Sequence, residues 1–404
     1  MEAITENMRG RELNGDVAIG VAAAALAVFF MGSTLLTPLY GLYEKAFGFS
    51  RVSLTLIYAI YVVGNLGALL FFGRLSDEVG RRRATLLAVL VASVSTLVFL
   101  FAVGTAWLFW ARMLSGFAIG IGSGTTTAWL AELHDGVSKS RATLMASGAN
   151  MAGLAIGPLL AGFLVQYMPW PLHLPHIFYL LTLIAIGLLI LRMPETVEEP
   201  ITNLSEISLR PRLGVPKAIR ARFVAPAVAV FVSMALVGFY ASLLPSILIE
   251  NLHQTNRAIG GVVVFELFLA GVVAIFATQK LTCRTAMLTG MVLLFPSLAL
   301  LVTAQILGSM PILLIGTTCG GISMALGYRG SLQVVNQIAP DDRRAEVVSS
   351  YLVAGFSGNA LPVIGVGVIT SISTPIAASA AFAGAIAVFA LIAFVTGVKC
   401  IPKS

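Results

Sequence analysis

The chain has 404 residues, of which 58% are hydrophobic and 11% charged, with 25 Lys and Arg against 18 Asp and Glu. Soluble domains carry about 25% charged and about 45–50% apolar residues, so this composition cannot build an ordinary water-exposed surface. It places the chain in a lipid bilayer, and the net charge of +7 then reports orientation rather than a nucleic-acid partner.

A membrane helix needs about 20 mostly apolar residues. Twelve such runs follow in chain order: 17–39, 52–73, 84–104, 106–131, 142–167, 174–193, 222–248, 258–278, 285–306, 310–334, 345–371 and 374–398. The polar stretch Met1 to Asp16 shows no convincing cleavage site, so the first run reads as a retained helix. Placing the N-terminus inside puts 21 of the 25 Lys and Arg on inner connections; Lys45, Arg51 and Arg257 fall outside, and Arg112 within a span. A missed helix would scramble that alternation, so the bias supports the span count and cytoplasmic N- and C-termini.

The longest connection, 194–221, divides the chain into an N-terminal six-helix bundle (1–193) and a C-terminal one (222–404), joined by a cytoplasmic loop. Internal repetition should follow. At an offset of 203, Arg141-Ala142 matches Arg344-Ala345, Ser147 matches Ser350 and Gly162 matches Gly365.

Between the second and third spans stands Gly73-Arg74-Leu75-Ser76-Asp77-Glu78-Val79-Gly80-Arg81-Arg82-Arg83. Gly73 lets another helix backbone approach, Gly80 permits a tight turn, and Asp77 is a fixed charge at the membrane face. The loop resembles the signature of the major facilitator superfamily at Gly73, Leu75, Asp77, Gly80, Arg81 and Arg82, and departs from it at Glu78. The resemblance implies that Asp77 meets the positive N-terminal end of the eleventh span, with Arg343 and Arg344 as added partners, and latches the halves on the inner side. The counterpart in the second half, Gln279 to Arg284, has no Asp. Glu132 and Arg141 flank the next inner loop, as an acid and an Arg of the family's inner gate do; a merely solvated loop reads equally well.

In the fourth span Arg112 precedes Gly116, Gly120 and Gly124, a small-residue stripe resembling the superfamily's second motif. A charge inside the bilayer costs about 2.5–3.5 kcal/mol on insertion scales, so Arg112 must face protein or water. It is read as a cavity cation that holds a substrate anion or tunes a proton-binding carboxylate; snorkelling to the outer surface is the alternative. The fifth span carries Gly153, Gly157-Pro158 and Gly162, where proline bends the helix and glycines let a neighbour pack against the bend. This looks like the family's antiporter motif, associated with proton-coupled exporters, and is the main reason to expect export.

Glu266 lies about nine residues into the eighth span, roughly 13 Å deep at about 1.5 Å per residue. No other acid sits at that depth, so it is the candidate proton-coupling or cationic-substrate site, a protonated packing residue being the plainer reading. Further cavity candidates are Tyr40, Tyr61, Asn65 and Asn150 in the first half, and Tyr240, Gln333, Asn336, Tyr351 and Asn359 in the second. The three cysteines and four histidines form no pairing or metal pattern, and no phosphate-binding loop occurs, so neither a metal nor a cofactor is expected.

The expectation is an all-α membrane protein of twelve transmembrane helices in two pseudo-symmetric six-helix bundles, the major facilitator fold, working as a monomer in the cell (inner or plasma) membrane. Its function is read as secondary active transport by alternating access, namely proton-coupled efflux of a small hydrophobic or cationic organic compound. The alternative is a proton-linked transporter of a defined metabolite such as a sugar, organic acid or amino acid. A membrane enzyme would need clustered acids or metal ligands within the spans, and the sequence offers one acid.

Overall fold

The computed structural model describes residues 13–134, 139–198 and 213–401. Twelve helical spans run through them: α1 Gly15–Phe47, α2 Arg51–Phe72, α3 Arg81–Leu100, α4 Thr105–Leu133, α5 Lys139–Tyr167, α6 Leu174–Ile190, α7 Arg220–Glu250, α8 Arg257–Ala277, α9 Cys283–Leu307, α10 Met310–Ile338, α11 Arg344–Ile372 and α12 Pro375–Cys400. Ten are long and apolar enough by themselves to cross a membrane. Of the other two, α6 is apolar but only 17 residues long. The 29 residues of α4 are diluted by Arg112, glycines and hydroxyl side chains.

The first span is longer than expected. It continues past residue 39 to Phe47 because Pro38 falls in a single 3₁₀ turn, Thr37–Leu39, where its missing N–H costs nothing. Gly48 then ends it in the left-handed region, at φ 64°.

The halves repeat one packing pattern. In the first, α1 packs on α4 and α5, α4 on α2 and α3, and α3 on α6; in the second, α7 packs on α10 and α11, α10 on α8 and α9, and α9 on α12. Between halves, α5 meets α8 and α11 meets α2. Lipid is as apolar as a helix side, so such contacts depend on close backbone approach at small residues. Gly153 lies against the Ala27 carbonyl of α1, and Gly358 against the Phe231 carbonyl of α7. Each is the fifteenth residue of a 29-residue helix, as Gly162 and Gly367 are each the twenty-fourth. The repeat register of α5 and α11 is therefore 205, not 203: Gly367 packs on Thr55, while Gly365 borders open space. In α4, Gly116 and Gly120 meet Tyr61, Asn65 and Ala68 of α2, but Gly124 touches nothing, so the stripe ends at Gly120.

Candidate functional site

Helices from both halves line a cavity whose empty space, part of it open to solvent, is about 880 Å³. The first half lines it with Phe30, Ser33, Thr34, Tyr58, Tyr61, Arg112 and Asn150, mostly polar and aromatic, beside the apolar Met151 and Leu154. The second half contributes Val230, Met234, Val237, Phe268, Met324 and Phe356, a mostly apolar wall that also includes Tyr328 and Asn359.

Arg112 is the one charged side chain among the described lining residues, and it is 1% exposed, so it does not snorkel. Its guanidinium lies 4.7 Å from the ring centre of Tyr61, 5.6 Å from that of Tyr58 and 5.9 Å from that of Tyr40, within cation–π range of all three. Nη1 donates to the Ser33 carbonyl at 3.1 Å, but the buried Nε–H has no partner, nor does the Tyr40 hydroxyl. Around this cage Asn65 Nδ2 donates to Tyr61 at 3.2 Å. The Tyr58 hydroxyl donates to Asn359 Oδ1 at 2.8 Å, a bond between halves.

Arg112, Tyr61, Asn150 and Asn359 thus come together at one cavity. Tyr40 and Asn65 stand behind it in the first half. Tyr240 is wholly buried against Thr317 at 3.0 Å, and Tyr351 is held by Ser331 and the Tyr328 carbonyl at 2.8 and 3.2 Å. Gln333 and Asn336 are exposed near the C-terminal end of α10.

Glu266 does not face the cavity, which corrects the expectation of an acid among the lining residues. Phe268, two residues on and about 200° around the helix, is the α8 residue that lines it. Flanking Glu266 on its own side are Val262, Leu269 and Val273, all exposed. The half-buried carboxylate sits on the seam between α8 and α10, where Thr318 donates to Oε1 at 2.7 Å.

At the end rich in Arg and Lys, the signature loop builds a compact network. Gly80 takes φ 99°, so the chain turns directly into α3. The Arg81 fork grips Glu132 of α4 through Nε, at 3.2 and 3.1 Å, and Nη2, at 2.6 Å; Nη1 donates to Ser76 at 2.6 Å and pairs with Asp77. Glu195, just beyond α6, accepts the backbone N–H groups of Arg81 and Arg82 at 2.7 and 3.1 Å, an anion at a helix N-terminus. Thr196 donates to Glu132, and Trp129 to the Pro194 carbonyl at 3.2 Å.

Asp77 therefore pairs with Arg81 in its own half, and the latch to α11, expected only while the inner side is closed, is not engaged in this conformation. Arg343 and Arg344 lie beside Asp342 and Asp341, at 4.0 and 2.6 Å. Gly73 closes tightly on the Leu69 carbonyl, and Arg141 is exposed at the start of α5. Residues 135–138 of the Glu132–Arg141 loop lie outside the described residues. Sequence reading missed Glu195 and Thr196, which reach Arg81 and Glu132 only through tertiary packing.

The opposite end joins the halves directly. Arg51 pairs with Glu44 at 3.0 Å and, across the halves, with Glu250. Asn256 donates to the Tyr167 hydroxyl at 3.1 Å and the Arg257 N–H to Gln166 at 2.9 Å. Gly162 packs against Arg257 and Ala258, and Gly261 against the Pro158 carbonyl, so the proline-glycine segment of α5 forms part of this closure.

Two bundles of helices surround a central cavity, with no strand among the described residues. The sequence profile of the Major Facilitator Superfamily matches residues 22–279, and the chain belongs to that superfamily. It is 25% identical over 328 residues to Multidrug resistance protein MdtL of Klebsiella pneumoniae, covering 78% of this chain and 79% of that protein. It is 25% identical over 355 residues to Chloramphenicol resistance protein CraA of Acinetobacter baumannii, covering 82% of each. The fold is similar to that of a bacterial homologue of the human lysosomal transporter Spinster, solved inward-facing and unoccupied, with a TM-score of 0.70, 16% identity and coverage of 95% and 98%.

Proposed function

We propose that this superfamily transporter is a secondary active exporter of small hydrophobic compounds, working as a monomer by alternating access in the inner membrane and coupled to proton entry. The cavity carries this reading. It lies between two halves that are bonded to each other at one end, while at the basic end Arg81 pairs with Asp77 and Glu132, and Arg344 with Asp341, each within its own half. By the positive-inside rule the basic end, and with it both termini, faces the cytoplasm. Export is supported by the role of Gly157-Pro158-Gly162 at the bonded end, and by the likeness to resistance proteins. The apolar wall suits a hydrophobic substrate. A cationic one loses support, because Arg112 is the charge it would meet.

Glu266 stays the candidate proton site, acting through the α8–α10 seam rather than by competing with substrate. Glu266→Gln keeps an acceptor for Thr318 but holds no exchangeable charge. In reconstituted vesicles, chloramphenicol uptake driven by an imposed pH gradient is expected in the wild type and abolished in Glu266→Gln, with binding retained. Full gradient-driven uptake in the variant removes Glu266 from the proton path. A wild type that moves no such compound under any gradient overturns the export reading.

A further inference from the structure

We infer that the compounds this cavity selects are amphiphilic organic anions, with a carboxylate head received at Arg112 and a hydrophobic body laid along the second half's wall. The inference deepens the export reading and rests on it for direction, but it does not need proton coupling.

The first argument is charge. Arg112 is a fully buried guanidinium whose surroundings answer it with aromatic faces and one carbonyl, and no described carboxylate lines the same cavity. Ring faces and a carbonyl dipole compensate a desolvated cation only in part. An arginine fork matches a carboxylate in plane and in hydrogen-bond direction, and the buried Nε–H is a donor still without an acceptor. A carboxylate supplies both the counter-charge and the acceptor. A neutral amide supplies an acceptor alone, and an ammonium supplies neither.

The second argument is shape. The second half lines the same cavity with Val230, Met234, Val237, Phe268, Met324 and Phe356. Unbranched methionines adapt to different apolar outlines, which lets one site take many bodies behind a common head. The third is energetics. An exported monoanion leaves a negatively charged interior down the membrane potential, so its movement requires no proton-binding acid inside the cavity.

The test is equilibrium binding to the purified full chain in lipid nanodiscs at neutral pH, using phenylbutyrate, phenylbutyramide and phenylbutylamine, which share one apolar skeleton. Phenylbutyrate is expected to bind at least about tenfold more tightly than the amide, as a charge-assisted hydrogen bond implies, with the amine weakest. In Arg112→Gln the carboxylate falls to the level of the amide measured in the same variant. If that variant fails to fold, the wild-type ranking and its loss on protonating the ligand below its own pKa still decide. Amide or amine binding as tight as the carboxylate overturns the inference. If none of the three binds while chloramphenicol is exported, the anion site falls and the export reading stands. If phenylbutyrate binds in the expected rank order but no compound is moved outward, the export reading falls and the anion site stands.

Discussion

The two halves superpose in their packing and diverge in their charge. Arg81 and Cys283 are the first residues of α3 and α9, and Glu132 and Gln337 the twenty-eighth of α4 and α10. Where the first half has a forked ion pair, the second has a thiol donating to an amide oxygen at 3.1 Å. Arg112 and Thr317 are each the eighth residue of their helices; one is caged by tyrosines including Tyr40, the other bonds to Tyr240. Arginines of the second half are spent on helix ends instead. Arg329 donates to the carbonyls of Thr278 and Gln279 at the end of α8, and Arg284 to that of Val398. The same architecture thus stands with or without charge at these positions. Charge in the first half has another purpose, a rigid basic end and a site for a head group, while the second half supplies an apolar, adaptable surface.

The contrast breaks first at Arg81. Arg81→Gln leaves Glu132, Asp77 and the Ser76 hydroxyl without their shared partner and is expected to cost about 2–4 kcal/mol, below the range for a fully buried pair because Glu132 is about a third exposed. Cys283→Ala removes the corresponding neutral bond and should cost about 1 kcal/mol or less. Thermal unfolding midpoints in one detergent measure both. Equal losses would mean that the ion pair adds nothing to the repeated packing.

The glycines sharpen the other side of the comparison, since packing should be symmetric where charge is not. A Cβ at Gly153 or Gly358 runs into a backbone carbonyl that cannot swing aside, so alanine at either place should cost about 1–3 kcal/mol, and similar amounts. Gly365→Ala, with open space around it, should lie within about 0.5 kcal/mol of wild type. The same melts test this, and unequal losses at 153 and 358 would deny the shared register.

Legibility followed the range of the physics. Spans, their number and the family signature are local patterns of hydropathy, glycine and charge, and the helices stand where those patterns put them. The break and extension of α1 after Pro38 escaped because a proline in a first turn reads as a helix end. Depth along α8 was readable for Glu266 from the rise per residue, but direction was not. In water an amphipathic stripe shows which way a helix faces; in lipid Val262, exposed, and Phe268, lining the cavity, are equally apolar. The network around Arg81 was half visible, since Asp77 and Arg81 are neighbours in sequence, whereas Glu132 and Glu195 reach it only through tertiary packing.

The smallest expected effect lies where the halves lend each other partners. Arg51 of the first half sits between Glu44 and Glu250, all partly exposed, so Arg51→Gln should change stability by no more than about 0.2–1 kcal/mol. Its consequence is conformational, because the Glu250 contact exists only while this end is closed. Losing it should raise the population open at this end by up to about fivefold, the equivalent of that energy. Ser246→Cys, introduced beside Arg51 and Glu250 in a chain freed of its native cysteines, reports the change as its rate of reaction with a membrane-impermeant maleimide. High salt should raise the rate in the Arg51-containing chain toward that of Arg51→Gln, because exposed pairs are screened. Equal rates in both chains at low salt would show that α5–α8 and α2–α11 packing closes this end without the ion pair.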